Sequence, residues 1–225
     1  MSLLKSQTSA HEGSFPYLPR LARIERITRL TEKERLFKIA LDDKKELGHM
    51  AGQFIMLSIP GFGEAPISIS SPPGRGYMFE ICVRAVGNLT NALHSLTKGD
   101  MIWIRGPYGK GFPLNDIRGK DLLFIAGGIG LVPMRSLIKT VLNERPTFGK
   151  INLLYGVKSP DEILFKDEMS QWEGSGNISI HITIDKPHPE WKGHTGVVTT
   201  LMPSLKIDET KTAAIVVGPP IMYKY

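Results

Sequence analysis

One short passage restricts the fold more than any other: Leu122-Leu123-Phe124-Ile125-Ala126-Gly127-Gly128-Ile129-Gly130-Leu131-Val132-Pro133. Its unbroken apolar run suits a strand covered on both faces. After the glycines, Met134, Leu137, Ile138, Val141 and Leu142 fall on one face of a helix. A strand covered on both sides and followed by an amphipathic helix belongs in a parallel sheet, where such helices do the covering. Glycine there permits positive φ and lets an anion reach the backbone, and a helix start offers unpaired N–H groups to a phosphate. Pro133 fits the first helical turn, where a missing N–H costs nothing. A plain tight turn would use the same glycines. The loop's place at the carboxyl end of the first parallel strand, where nucleotides bind in such sheets, favours the phosphate.

Around this passage the chain has two rhythms. From Lys120 onward strand runs alternate with helical stretches: Ile151–Val157, a helix through Ile163–Trp172, Ile178–Ile184, a short helix near Gly196–Leu201, and Ala213–Val217. That alternation predicts an α/β domain with a parallel sheet. From Arg20 to about Phe112 the runs are shorter and broken by Gly and Pro: Leu21–Ile27, Leu36–Leu41, Gln53–Ile59, Ile67–Ser70, Met78–Val86 and Met101–Arg105. Their spacing predicts an antiparallel barrel or sandwich. One helix interrupts it at Asn91–Thr97, with Thr90 as N-cap. The chain therefore reads as a loose tail at residues 1–16, an antiparallel β domain at 17–115 and an α/β domain at 116–225.

Composition narrows the classes of function. With 225 residues, 41% hydrophobic and 22% charged, the chain is ordinary globular protein, long enough for two cores. The net charge of +6 is scattered, in clusters such as Lys33-Glu34-Arg35 and Lys44-Lys45, whereas nucleic-acid proteins concentrate their basic residues. The expectation is a solvated basic surface, open to an acidic partner, with no nucleic-acid role. Cys82 is the single cysteine, so neither a disulfide nor an all-cysteine cluster forms within this chain. Set in the apolar-rich run Tyr77–Val86, it reads as a small buried hydrophobe. No apolar run approaches the ~20 residues of a membrane span, and Met1–Gly13 lacks the apolar core of a signal peptide. A cytoplasmic protein without membrane insertion is expected. His181, His188 and His194 lack metal-ligand spacing, and Asp185 and Glu190 read as solvated loop charges.

Further motifs follow one another in order: Ala51-Gly52-Gln53-Phe54, Glu64-Ala65-Pro66-Ile67-Ser68-Ile69-Ser70, Val83-Arg84-Ala85-Val86-Gly87-Asn88-Leu89-Thr90, Gly106-Pro107-Tyr108-Gly109, the glycine loop, and Val217-Gly218-Pro219-Pro220. In this order the chain resembles the ferredoxin–NADP reductase superfamily. Within it the resemblance is to electron-transfer subunits: the gamma subunit of sulfhydrogenases, the corresponding subunit of anaerobic sulfite reductase and the electron-transfer subunit of dihydroorotate dehydrogenase.

The resemblance implies a six-stranded antiparallel β-barrel that binds FAD, followed by an α/β parallel-sheet NAD(P)-binding domain. It implies that the backbone of Ala65, Pro66 and Ile67 and the Ser68 hydroxyl face the isoalloxazine, with Ser68 near N5 as the catalytic contact. Ala65 replaces the family's usual Arg, a cation for the FAD phosphates, and Ile67 replaces the frequent aromatic. Arg84, on the strand Cys82-Val83-Arg84 beside the ribityl and pyrophosphate, is the substitute cation. The turn Gly87-Asn88-Leu89-Thr90 offers a helix start to the pyrophosphate. Gly127, Gly128, Ile129 and Gly130 receive the nicotinamide dinucleotide, and Gly218, Pro219 and Pro220 abut the nicotinamide. Lys158 could meet a 2′-phosphate, which leaves NAD and NADP open. Many members carry Cys where this chain has Val217.

The implied function is an FAD-dependent NAD(P)H oxidoreductase, an electron-transfer subunit passing electrons between NAD(P)H and an iron–sulfur partner such as a hydrogenase or sulfite reductase complex. The subunits named continue beyond the equivalent of Tyr225 into a cysteine-rich tail. A [2Fe–2S] cluster is thus expected only in a longer parent chain. The departures at Ala65 and Val217 leave a rival, a flavin-free adaptor or regulatory subunit of a redox complex.

Overall fold

A computed structural model describes residues 17–224, so the tail expected at 1–16 lies outside the described residues. The first half forms β1 (Arg20–Arg29), β2 (Glu34–Leu41), β3 (Phe54–Ile59), β4 (Gly63–Ser68), β5 (Met78–Arg84), helix α1 (Asn88–Ser95) and β6 (Met101–Tyr108). The six strands make one antiparallel sheet in the order β4-β3-β6-β1-β2-β5. A bridge between Ile69 and Ile81 joins its two edges and closes the barrel. Period-two alternation builds the interior. Ile55, Leu57 and Ile59 of β3 point inward, as do Phe79, Ile81 and Val83 of β5, while their sequence neighbours point out. Each such fully buried apolar side chain contributes about 1.5–3 kcal/mol.

The helix α1 begins earlier than the sequence predicts. Gly87 is its N-cap, and Thr90 sits inside the first turn. There the Thr90 Oγ1 accepts the N–H groups of Val86 and Gly87 at 2.9 Å. Reaching back from the third helical position is the role that Glu or Gln takes in a capping box.

A four-residue helix α2 (Leu114–Ile117) leads into the second half. There β7 (Asp121–Gly127), α3 (Leu131–Asn143), β8 (Ile151–Val157), α4 (Lys166–Gly174), β9 (Ser179–Ile184), β10 (His194–Thr195) and β11 (Thr212–Val217) follow. All five strands are parallel, in the order β10-β9-β8-β7-β11. Leu131, Met134, Leu137, Ile138 and Val141 of α3 are buried against the sheet. Ile163–Phe165 is not helical, contrary to expectation. These three apolar residues form a buried strap, and Phe165 takes the left-handed conformation (φ 53°) before α4 starts. The stretch expected as a helix near Gly196–Leu201 is a 3₁₀ helix at Val198–Ser204, and β10 was not foreseen.

The outward face of β5 is only partly solvated. Glu80, Cys82 and Arg84 alternate along it, and Cys82 packs with Leu36 and Ala51 into the hydrophobic cluster of the α/β half. The barrel therefore lends one face to the core of its neighbour.

Candidate functional site

A cleft of about 1010 Å³ opens between the two halves. One wall is the edge strand β4. Ala65 and Ile67 lean on the barrel core, so alternation turns Pro66 and Ser68 the other way. Pro66 is tolerated because β4 pairs with β3 alone. All four residues line the cleft, and the Ser68 hydroxyl has no hydrogen-bond partner among the described residues. The wall is open to a ligand.

Cys82, Val83 and Arg84 form the adjoining side. Arg84 stands directly across from Glu34 in the β2–β5 register, and its Nε pairs with the Glu34 carboxylate. Glu34 is buried and also accepts the Thr31 hydroxyl. The Lys33-Glu34-Arg35 cluster is thus not simply solvated surface, because its acid is a buried anchor. Only Nε of Arg84 is engaged among the described residues, and the side chain remains partly exposed beside the cleft. A guanidinium held along one edge in this way is preorganised to offer its remaining N–H groups to an anion. Burial, together with the charge of Glu34, pushes the Cys82 thiol up to about 12.

The opposite wall is the carboxyl end of the parallel sheet. Gly127, Gly128, Ile129 and Gly130 line it, with Gly128 at φ 53° and nothing within 4 Å of the place a Cβ would take. Gly130 serves a different purpose: its Cβ would lie 2.3 Å from the Val217 carbonyl oxygen, so it lets the turn cross the end of β11. Gly218 and Pro219 line the same wall, and Met222 and Pro219 crowd one side of Gly127 without filling the cleft.

Thr90 also lines the cleft, whereas the other members of its turn do not. Leu89 is buried in the barrel core, and Asn88 borders a separate hollow with Phe62 and Leu96. Gly87 and Pro220 are exposed and stand outside the lining. Lys158 is at the rim, at the end of β8, where Glu162 and Asp185 join it. Asp185 therefore faces the cleft, though the sequence offered only a loop charge. The lining includes Val197, Val198 and Thr199, which no sequence motif marked. Glu190 is exposed, and among the described residues no three His, Cys, Asp or Glu side chains group as metal ligands.

The largest surprise is Arg135, buried at 1% exposure in α3. Its Nη1 donates to the Ser70 carbonyl at 3.0 Å and to Glu80 at 2.9 Å, both on the barrel. Its Nε and Nη2 grip both oxygens of Glu168 on α4, at 2.9 and 2.6 Å. Burial works against the guanidinium charge, but Glu168 and Glu80 outweigh it and hold the pKa above the usual arginine value. Nearby, the Ser136 hydroxyl donates to the Ser71 carbonyl at 2.6 Å.

Comparison with known proteins accords with this geometry. Residues 21–112 match the oxidoreductase FAD-binding domain family, and residues 124–225 match the oxidoreductase NAD-binding domain family. Sulfhydrogenase 2 subunit gamma of Pyrococcus furiosus is 37% identical over 93% of this chain and 77% of its own length. Sulfhydrogenase 1 subunit gamma of the same organism is 34% identical over 93% and 73%. Among solved structures, the cytochrome b5 reductase domain of Ulva prolifera nitrate reductase shares the fold, with a TM-score of 0.77 and 23% identity over 93% of this chain and 90% of that one.

Proposed function

The chain belongs to the oxidoreductases that join an FAD-binding domain to a NAD-binding domain, and on that premise we propose that hydride passes between nicotinamide and flavin in the cleft beside Ser68. It is an FAD- and NAD(P)H-binding electron-transfer oxidoreductase. One observation carries the placement of its chemistry: a single cleft has the β4 wall on one side and the glycine turn on the other. Bound FAD supplies the conversion between two-electron and one-electron traffic.

The chain's own residues orient and exclude. Pro66 and Ser68 present a flat edge to a ring, and Ser68 has a hydroxyl with no competing partner to place near the reacting nitrogen. Arg84, steadied by Glu34, meets the flavin's phosphates in place of the missing cation at Ala65. The open Gly128 and the start of α3 receive the dinucleotide phosphates, while Gly218 and Pro219 bound the nicotinamide. We take residues 17–115 as the flavin domain and 116–225 as the nicotinamide domain.

The sulfhydrogenase gamma subunits suggest the next carrier, an iron–sulfur protein in a hydrogenase or sulfite reductase complex. Cys82 is the chain's single cysteine and is buried, so the cluster's ligands come from a partner or from residues outside 1–225. The reading places this exchange in the cytoplasm. Among the described residues, no helix is long and apolar enough to cross a membrane.

The test is spectroscopic. Purified protein supplied with FAD should show flavin bands in the visible range that bleach anaerobically on adding a reduced nicotinamide nucleotide. A colourless protein that takes up no FAD would instead be an adaptor, and flavin that neither NADH nor NADPH bleaches would end the hydride proposal.

A further inference from the structure

A buried charge cluster joins the two halves. A cation and two carboxylates withdrawn from water are costly, and apolar residues of similar size often serve stability equally well. Here the cluster joins two particular places. Ser70 lies two residues beyond Ser68, and its N–H is bonded to the Glu80 carbonyl at 2.7 Å. The Arg135 guanidinium holds that corner through the Ser70 carbonyl and the Glu80 carboxylate together. Arg135 itself sits one turn into α3, directly behind the glycine turn.

The remaining contacts keep the guanidinium from rotating. Glu168 is bidentate on its opposite edge, and the Phe165 ring lies 4.7 Å from its central carbon. Phe165 holds that place in a left-handed conformation (φ 53°) that bulky side chains rarely adopt. Strain of this kind persists only where its surroundings enforce it.

We propose that Arg135 is a positioning residue for hydride transfer: it fixes the flavin-facing strand to the helix carrying the glycine turn, and so sets the spacing of the two rings. The inference rests on the hydride reading above. Steps between bound rings are sensitive to misplacement on the ångström scale. A planar fork with three separately placed partners sets position in a way that a point charge does not.

The experiment uses the FAD-loaded protein and its Arg135→Met, Arg135→Lys and Glu168→Gln variants. Anaerobic stopped-flow bleaching at saturating NADH should slow at least tenfold in Arg135→Met and several-fold in Arg135→Lys and Glu168→Gln. The NADH dissociation constant should move less than threefold, and bleaching by dithionite should be unchanged. In flavin-free protein, amide hydrogen exchange at Ser70 and Ser71 should quicken at least tenfold. If Arg135→Met fails to fold, the other two variants give the same readings. NADH bleaching at the wild-type rate, or equal slowing with NADH and dithionite, overturns the proposal, as does unchanged exchange at Ser70 and Ser71. If wild-type flavin ignores NADH, the hydride reading fails instead, and the exchange measurement still reports on the clamp.

Discussion

Two turns feed helices at the cleft, and they differ in what they leave open. At residues 87–90 Gly87 is extended, and the Thr90 oxygen reaches back to accept the N–H groups of Val86 and Gly87 ahead of the helix. At 127–130 no side chain caps the helix start, one glycine is pressed against the end of β11, and another is open. Glycines of one motif thus do separable jobs. Gly130 provides close packing and Gly128 provides access. At both turns no side chain takes the helix's own first N–H groups, so the difference lies in the glycines rather than in the donors.

The greatest effect should come from Gly130→Ala, where a methyl group meets backbone that cannot swing aside. Overpacking of this kind costs about 3 kcal/mol, and a fall in melting temperature of roughly 6–10 °C by calorimetry is expected. An unchanged melting temperature would remove the distinction between the glycines. Next comes Gly128→Val, whose left-handed φ costs about 1–2 kcal/mol and whose side chain occupies the open space. NADH affinity should fall at least tenfold, about 1.4 kcal/mol, while FAD affinity stays within twofold in parallel titrations.

A similar or smaller effect is expected from the rim. Glu162 and Asp185 line the same cleft as Lys158, so a 2′-phosphate bound at Lys158 would share the cleft with two carboxylates. NADPH should bind about tenfold more weakly than NADH, and Asp185→Asn should narrow the gap. Equal affinities in the unaltered protein would show that the rim does not reach the ribose. The smallest effect belongs to the self-capped turn. Thr90→Val keeps the shape but loses three hydrogen bonds, two accepted and one donated to the Gly87 carbonyl, lowering stability by about 1 kcal/mol in urea titrations, with NADH affinity unmoved.

Much of the architecture was legible in the chain. The β8 strand was bounded at Ile151 and Val157 by its apolar run alone, and alternation located every barrel strand to within a few residues. What escaped was set by contacts distant in sequence. Ile163–Phe165 has helix-like spacing, but its side chains are used against the interdomain core, and Phe165 departs from helical backbone. Glu34 looked solvated because its partner Arg84 is reached only when β2 and β5 pair.

Arg135 left a fainter trace. It stands three residues before Ile138 and seven before Leu142, on the apolar stripe of α3, and a charge on such a stripe demands buried partners. At the cleft, the motif residues Ser68, Gly128 and Gly218 line the walls. Leu89 could not be placed from sequence, because a helix start shifted by one turn carries an apolar side chain into the core.

The position of Cys82 gives the cleft a built-in reporter. With its acidity pushed to about 12, only about one thiol in ten thousand is ionised at pH 8, and the thiolate is the reactive form. The sulfur is also enclosed where barrel and α/β core meet. An alkylating reagent should therefore tag this protein slowly, and a molecule filling the cleft that Cys82 lines should slow it further.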